Sequence, residues 1–197
     1  MSIRTLACIV EGQGEVRAIP VLLRRAALEW AEVGLEVPEP FRLPRTKIDK
    51  PSEIKFIERV MSFMQNKAGE NGAVLILMDA DDDCAVEIAK NLSCIAGRVI
   101  GDKLPWAVVV ADREYESWFL AAAASLAGHR GFSASLARPN DHASRHGAKE
   151  WLGAAMGGSY QETVDQPALS QQFSFEQARE NRSFCKFEKE VRRLLGV

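Results

Sequence analysis

Acidic side chains gather in three short stretches, each directly behind an apolar run. The first, IVEGQGEVRAIP from Ile9 to Pro20, places Glu11 at the end of a run and Glu15 one helical step on. The second, MDADDD, sets Asp79, Asp81, Asp82 and Asp83 behind Ala73–Met78. The third, ADREYES, sets Asp112, Glu114 and Glu116 behind Trp106–Ala111. Carboxylates brought together repel, and some protonate at a cost of about 1.4 kcal/mol per pKa unit. A hard divalent ion relieves that repulsion, because Mg²⁺ takes oxygen ligands and commonly binds one or two carboxylates with waters and a substrate phosphate. Gly12 and Gly14 read as positions of close backbone approach, with the glutamates serving a metal that serves a phosphate. The candidate ligands are Glu11, Glu15, Asp79, Asp81, Asp83, Glu114 and Glu116. Acids after strands are also ordinary turn and cap residues, and Asp82 or Asp83 reads as a cap for a helix beginning near Cys84. Arg17, Arg113 and Lys149 are candidates to neutralise a pentacovalent phosphate.

These acids converge only if the apolar runs are neighbouring strands of a parallel sheet. Thr5–Val10, Phe41–Leu43, Ala73–Met78 and Trp106–Ala111 read as strands, and AVLILM is apolar on both faces, as a covered central strand requires. Helical spacing predicts helices over Glu15–Ala31, Ser52–Ala68, Cys84–Val99 and Glu116–Leu126. Alternation of this kind predicts an α/β fold, a mainly parallel, Rossmann-like sheet of about four strands flanked by helices. Ligands in such sheets gather beyond the carboxyl ends of the strands. Residues 1–127 form this core. Residues 128–197 are expected as a loop-and-helix extension packed on the same domain: irregular from Gly128 to about Gln172 apart from a short helical piece near Ala148–Met156, then an amphipathic helix over Ser183–Leu195.

The 197 residues, 47% hydrophobic and 26% charged with a net charge of −2, fit one soluble domain and name no partner by charge alone. No apolar run is long enough to span a membrane or serve as a signal peptide, so a cytoplasmic protein is expected. The four cysteines form no CxxC pair, which argues against structural zinc and a disulfide framework. His142 and His146 lack the glutamate of HExxH and read as polar loop. The glycine turn lacks the third glycine of a dinucleotide fingerprint, with Arg17 in its place, and no Walker lysine follows. Two basic stretches, Arg42–Arg59 and Arg179–Arg193, are candidates for phosphate-backbone contact. In the second, Phe184 and Phe187 lie at core spacing, which favours a solvated amphipathic helix.

The pair hhhEG at Ile9–Gly12 and hhhhDAD at Leu75–Asp81 resembles the Toprim domain of topoisomerases, bacterial primases and overcoming-lysogenization-defect nucleases. In order, VEGQGE, MDADDDC, REYESWFLA, AKEWL, DQPALS and RSFCKFEKEV are similar to a family of small bacterial Toprim-like proteins known as domain of unknown function 4276. The resemblance implies a Toprim-like fold, acid/base or metal-binding work for Glu11, and Mg²⁺ (or Mn²⁺) on Asp79 and Asp81. With Glu11, Arg113 and Lys149 as catalytic candidates, the expectation is a Mg²⁺-dependent, nuclease-like protein acting on phosphodiesters of DNA or RNA, with bacterial defence as a setting. The alternative is a non-catalytic metal- or nucleotide-binding subunit that partners a larger ATPase-containing system. A phosphatase for a small phosphorylated molecule is a weaker third. No membrane partner is expected, and the sequence does not specify an oligomeric state.

Overall fold

Four apolar runs form one sheet in the computed structural model, which describes residues 5–48, 50–142 and 145–197. The strands are β1 (Thr5–Val10), β2 (Phe41–Arg42), β3 (Gly72–Asp79) and β4 (Trp106–Ala111). They lie in the order β2-β1-β3-β4, with every pairing parallel. The helices of the first half are α1 (Gln13–Ala31), α2 (Arg45–Ile48), α3 (Ile54–Ala68) and α4 (Ala85–Val99). After β4 come α5 (Ser117–Ala121), α6 (Ala148–Ala155), α7 (Glu162–Gln172), α8 (Phe175–Ala178) and α9 (Arg182–Leu195). Among the described residues no helix is long and apolar enough to cross a membrane.

Strand side chains alternate between two cores, as the pleat dictates. Leu6, Cys8, Val10, Leu75, Leu77 and Val109 pack under α1, α5 and α9, whereas Ala7, Ile9, Val74, Ile76, Met78 and Val110 pack under α3 and α4. All of β3 is buried, so its continuous apolar run is what a strand covered on both faces needs. The chain passes from β1 outward to β2, then crosses back to β3 on the other side of β1. The gap between the carboxyl ends of β1 and β3 is therefore the topological switch point, where open α/β sheets bind ligands.

The stretch predicted to be irregular up to Gln172 contains a full helix, α7, packed on α1. Its hydrophobic pattern is faint because much of what it buries is polar: Asp165, Gln166 and Ser170 beside Leu169. Pro167 also removes one helical N–H. Long-range bonds hold the helix in place. Arg130 and the Gln161 N–H both reach the Asp165 carboxylate at its start. Arg25 of α1 donates to the carbonyls of Ser170 and Phe173 at its end, satisfying carbonyls that a helix terminus leaves open. The helix predicted over Glu116–Leu126 is in fact α5 followed by a separate 3₁₀ turn at Ala123–Leu126.

A buried polar knot fixes the end of β4 against α9. The Ser183 hydroxyl accepts from the Asp112 N–H and from Trp118 Nε1, each at 2.9 Å, and donates to Asn181 Oδ1. Asn181 in turn caps α9 and reaches Ser117. This knot sets the turn that carries Glu114 and Glu116.

Candidate functional site: an acidic crevice at the switch point

Glu11 follows β1 and Asp79 ends β3, and the two meet directly: the Asp79 N–H donates to Glu11 Oε2 at 3.1 Å. Burial pushes the Glu11 carboxyl up to about 7, against the pull of that N–H bond and of Arg45, with the Asp81 and Glu15 charges adding to the rise. Asp79 is pushed well above the usual carboxylate range, by burial first and then by Glu15, Glu116 and Glu11. Glu116, fully buried, is pushed up to about 8 by burial and by Glu15 and Glu114, with Lys149 opposing. Glu15 and Glu114 are raised as well, chiefly by burial. One oxygen of Glu114 and one of Glu116 are buried with no hydrogen-bond partner among the described residues. An acceptor buried without a donor costs about 1–3 kcal/mol.

Lys149, at the start of α6, is the cation that bears on Glu15, Asp79, Glu114 and Glu116. Its Nζ lies 2.6 Å from Glu162 Oε1. Burial works against its charge, but Glu116, Glu162 and Glu114 outweigh burial and hold it above the ordinary lysine range.

The glycines of the first motif have a different use from the one the sequence suggests. A Cβ on Gly12 would come within 2.3 Å of Glu15 Oε2, and one on Gly14 within 2.3 Å of Gln166 Oε1. The chain's own side chains fill the space the glycines leave, so the turn is shaped for Glu15 and α7 and not as an open phosphate cradle. Gln166 donates to Glu116 Oε1 at 3.1 Å and also holds the Glu15 carboxyl down by hydrogen bonding. Glu162, Gln166 and Tyr160, whose buried hydroxyl lies by Glu116, therefore belong to the crevice. The string DQPALS contains Gln166, but a single glutamine in it carries no signal of this role.

Six of the seven candidate ligands are brought together: Glu11, Glu15, Asp79, Asp81, Glu114 and Glu116 act on one another's charge. Asp83 is not among them; it is exposed and ion-paired to Arg45 at 2.7 Å. Asp82 pairs with Arg113 at 2.7 Å. Neither aspartate caps α4, whose cap position is Cys84 and has no side-chain cap bond. Arg113 thus lies on the rim, bonded to Asp82 and within 3.0 Å of His146 Nδ1. Arg17 is exposed on α1. Asp81 and Arg113 both adopt left-handed backbone, at φ 49° and 61°, and the Asp81 N–H bonds the Arg113 carbonyl at 2.9 Å. Left-handed φ in a non-glycine residue is strained, and such strain clusters at functional sites.

Carboxylate oxygens are the donors that Mg²⁺ or Mn²⁺ prefers, and the orphaned oxygens of Glu114 and Glu116 are acceptors wanting a cation. The residues present fit such an ion in chemistry, although among the described residues no three His, Cys, Asp or Glu side chains stand as a preformed shell.

Fold and site together define an all-parallel α/β protein with an acidic crevice at its switch point. The chain belongs to the family of a domain of unknown function (DUF4276), whose sequence profile matches residues 10–192. No curated protein matches it.

Proposed function

We propose that the crevice binds Mg²⁺ or Mn²⁺ and that the protein acts on phosphodiesters of DNA or RNA as a metal-dependent, nuclease-like member of its family. The observation that carries this reading is the pair of orphaned, buried carboxylate oxygens on Glu114 and Glu116, set beside Glu11, Glu15 and Asp79, whose carboxyls are raised by burial. The likeness of the Glu11 and Asp79–Asp81 motifs to those of Toprim domains supports the same reading, and bacterial defence is the setting that likeness suggests. Asp79 and Asp81 would hold the ion, with Glu11, Glu15, Glu114 and Glu116 around it. When bound, such an ion neutralises a phosphate and makes its water a stronger nucleophile. Glu11, raised to about 7 in the metal-free crevice, stands at the end of β1 as the candidate to accept or return a proton, and a bound cation would lower its pKa from there. Lys149 supplies fixed positive charge beside Glu116 and Glu162.

Titration calorimetry of Mn²⁺ and Mg²⁺ into wild type and Asp79→Asn, followed by cleavage assays on single- and double-stranded DNA and RNA, tests the proposal. Metal binding abolished by Asp79→Asn, with cleavage lost in the same variant and in Glu11→Gln, is expected. Cleavage that survives Glu11→Gln unchanged sinks the catalytic assignment.

A second reading, a non-catalytic subunit that binds metal or nucleotide and partners an ATPase, is favoured by the Lys149–Glu162 ion pair, which already engages the cation beside Glu116. It predicts a partner that co-purifies and no cleavage with any substrate tested.

A further inference from the structure

Three strand ends of the sheet carry acids, whereas the fourth, at β2, carries bases. In the strand register Arg42 stands opposite Val10, one residue before Glu11. Its Nε donates to the Glu11 carbonyl at 3.2 Å. Arg45, on α2, donates to the Asp79 carbonyl at 3.0 Å and to the Asp83 carboxylate. Two guanidinium groups are thus tied to the main-chain oxygens of the residues that open two of the acidic motifs.

The two arginines differ in what they have left to offer. The Arg45 side chain is 13% exposed and its positive charge bears on Glu11. Arg42 is exposed, and no acceptor among the described residues engages its two Nη groups. Anchoring through Nε fixes the plane of the guanidinium and leaves a paired fork of donors, the geometry that meets two phosphate oxygens at once. Four basic residues on or just before α9 are engaged differently: Arg179 and Arg192 bind Glu188, and Lys186 and Arg193 bind Glu190.

Position argues for a polymer. Adjacent strands lie about 4.8 Å apart, so β2 is roughly 7 Å from the middle of the β1–β3 gap. A phosphate on Arg42 is then a neighbour of the phosphate at the acids, which a small phosphomonoester does not possess. We infer that Arg42 anchors a backbone phosphate of a nucleic-acid strand that enters the crevice over β2, and that Arg45 is a positioning residue bracing the wall beneath it. The inference rests on the phosphodiester reading above.

Binding of fluorescein-labelled single-stranded 20-mers, DNA in one arm and RNA in the other, is measured against salt concentration with Ca²⁺ replacing Mg²⁺. In the arm that wild type binds, Arg42→Gln is expected to weaken affinity about tenfold and to lower the slope of log K against log salt by about 0.7, the value for one phosphate contact on a single strand. Arg42→Lys restores the slope but not the full affinity, because it keeps the charge and loses the fork. Mg²⁺ calorimetry unchanged in Arg42→Gln shows that the crevice is intact. Wild-type affinity and slope in Arg42→Gln overturn the inference and leave the phosphodiester reading standing. So does loss of metal binding in that variant, which makes Arg42 part of the scaffold. Wild type that binds neither strand overturns the phosphodiester reading itself.

Discussion

Buried carboxylates cluster in two places, and their chemistry runs in opposite directions. On α9, Glu188 and Glu190 are 8% and 9% exposed, and each is held by two cations. The Glu188 carboxyl is lowered, foremost by its hydrogen bond from Arg179. Burial alone would raise Glu190, but bonds from Lys186 and Arg193 outweigh it. In the crevice, Glu116 and Asp79 are as deeply buried yet raised, and Lys149 faces several acids at once. Burial alone therefore does not mark a site. Burial without compensation does, because the fold accepts an unfavourable charge state that a ligand can relieve.

The largest test of this contrast is the pH dependence of stability. Glu116 is raised from about 4.5 to about 8, so between those values the folded state keeps protons that the unfolded state has released. Its contribution is fully present below about 4.5 and is lost as pH rises to about 8, with Glu11 adding to the fall up to about 7. At about 1.4 kcal/mol per unit the loss amounts to a few kcal/mol. Glu188 and Glu190 act oppositely: their contribution is present above the ordinary glutamate value near 4.5 and is lost as pH falls below it. Urea denaturation in EDTA is thus expected to show stability declining from pH 5 to 8, and saturating Mg²⁺ is expected to flatten the decline. A metal-free profile that rises over that range breaks the contrast.

Neutralising one acid in each region sharpens it. Glu116→Gln removes an uncompensated charge and is expected to stabilise the metal-free protein at pH 8 by roughly 1–3 kcal/mol, while weakening Mg²⁺ binding. Glu188→Gln removes the countercharge of Arg179 and Arg192 and replaces one of the two accepting oxygens with an NH₂ donor, and is expected to destabilise by roughly 1–2 kcal/mol, with no change in Mg²⁺ binding. Chemical denaturation and calorimetry on the two variants check both signs. Equal signs would mean that the two regions are built alike.

Much of this was legible in the sequence, for identifiable reasons. β1 and β4 begin and end where their apolar runs do, because a strand covered on both faces admits few polar residues. The gathering of Glu11, Asp79, Glu114 and Glu116 followed from parallel strands delivering their ends to one edge. Other features depend on pairings between distant residues. The exclusion of Asp83 rests on Arg45, 38 positions away, and the caps expected of Asp82 and Asp83 gave way to arginines. α7 was hidden because its buried side is polar and Pro167 interrupts it. With that helix went Glu162 and Gln166, and with them the reason for glycine at position 14.

The smallest effect separates the cations. Lys186 is half-exposed and shares Glu190 with Arg193, so Lys186→Met leaves the acid still paired and is expected to cost about 0.2–1 kcal/mol, as for exposed ion pairs. Lys149 has no such understudy: removing it leaves Glu162 without its ion-pair partner and raises Glu116 further, since Lys149 is what holds Glu116 down. Lys149→Met is therefore expected to cost somewhat more at pH 8, about 1–2 kcal/mol, and to cost less at pH 5, where Glu116 is protonated in the folded state and the Glu162 ion pair is the part that remains to be lost. The difference between the two pH values is the informative quantity. For Lys186→Met it stays near zero. If Lys149→Met also shows none, the carboxylates near Lys149 are already neutral at pH 8 for another reason, and the crevice is not charged in the way its geometry implies.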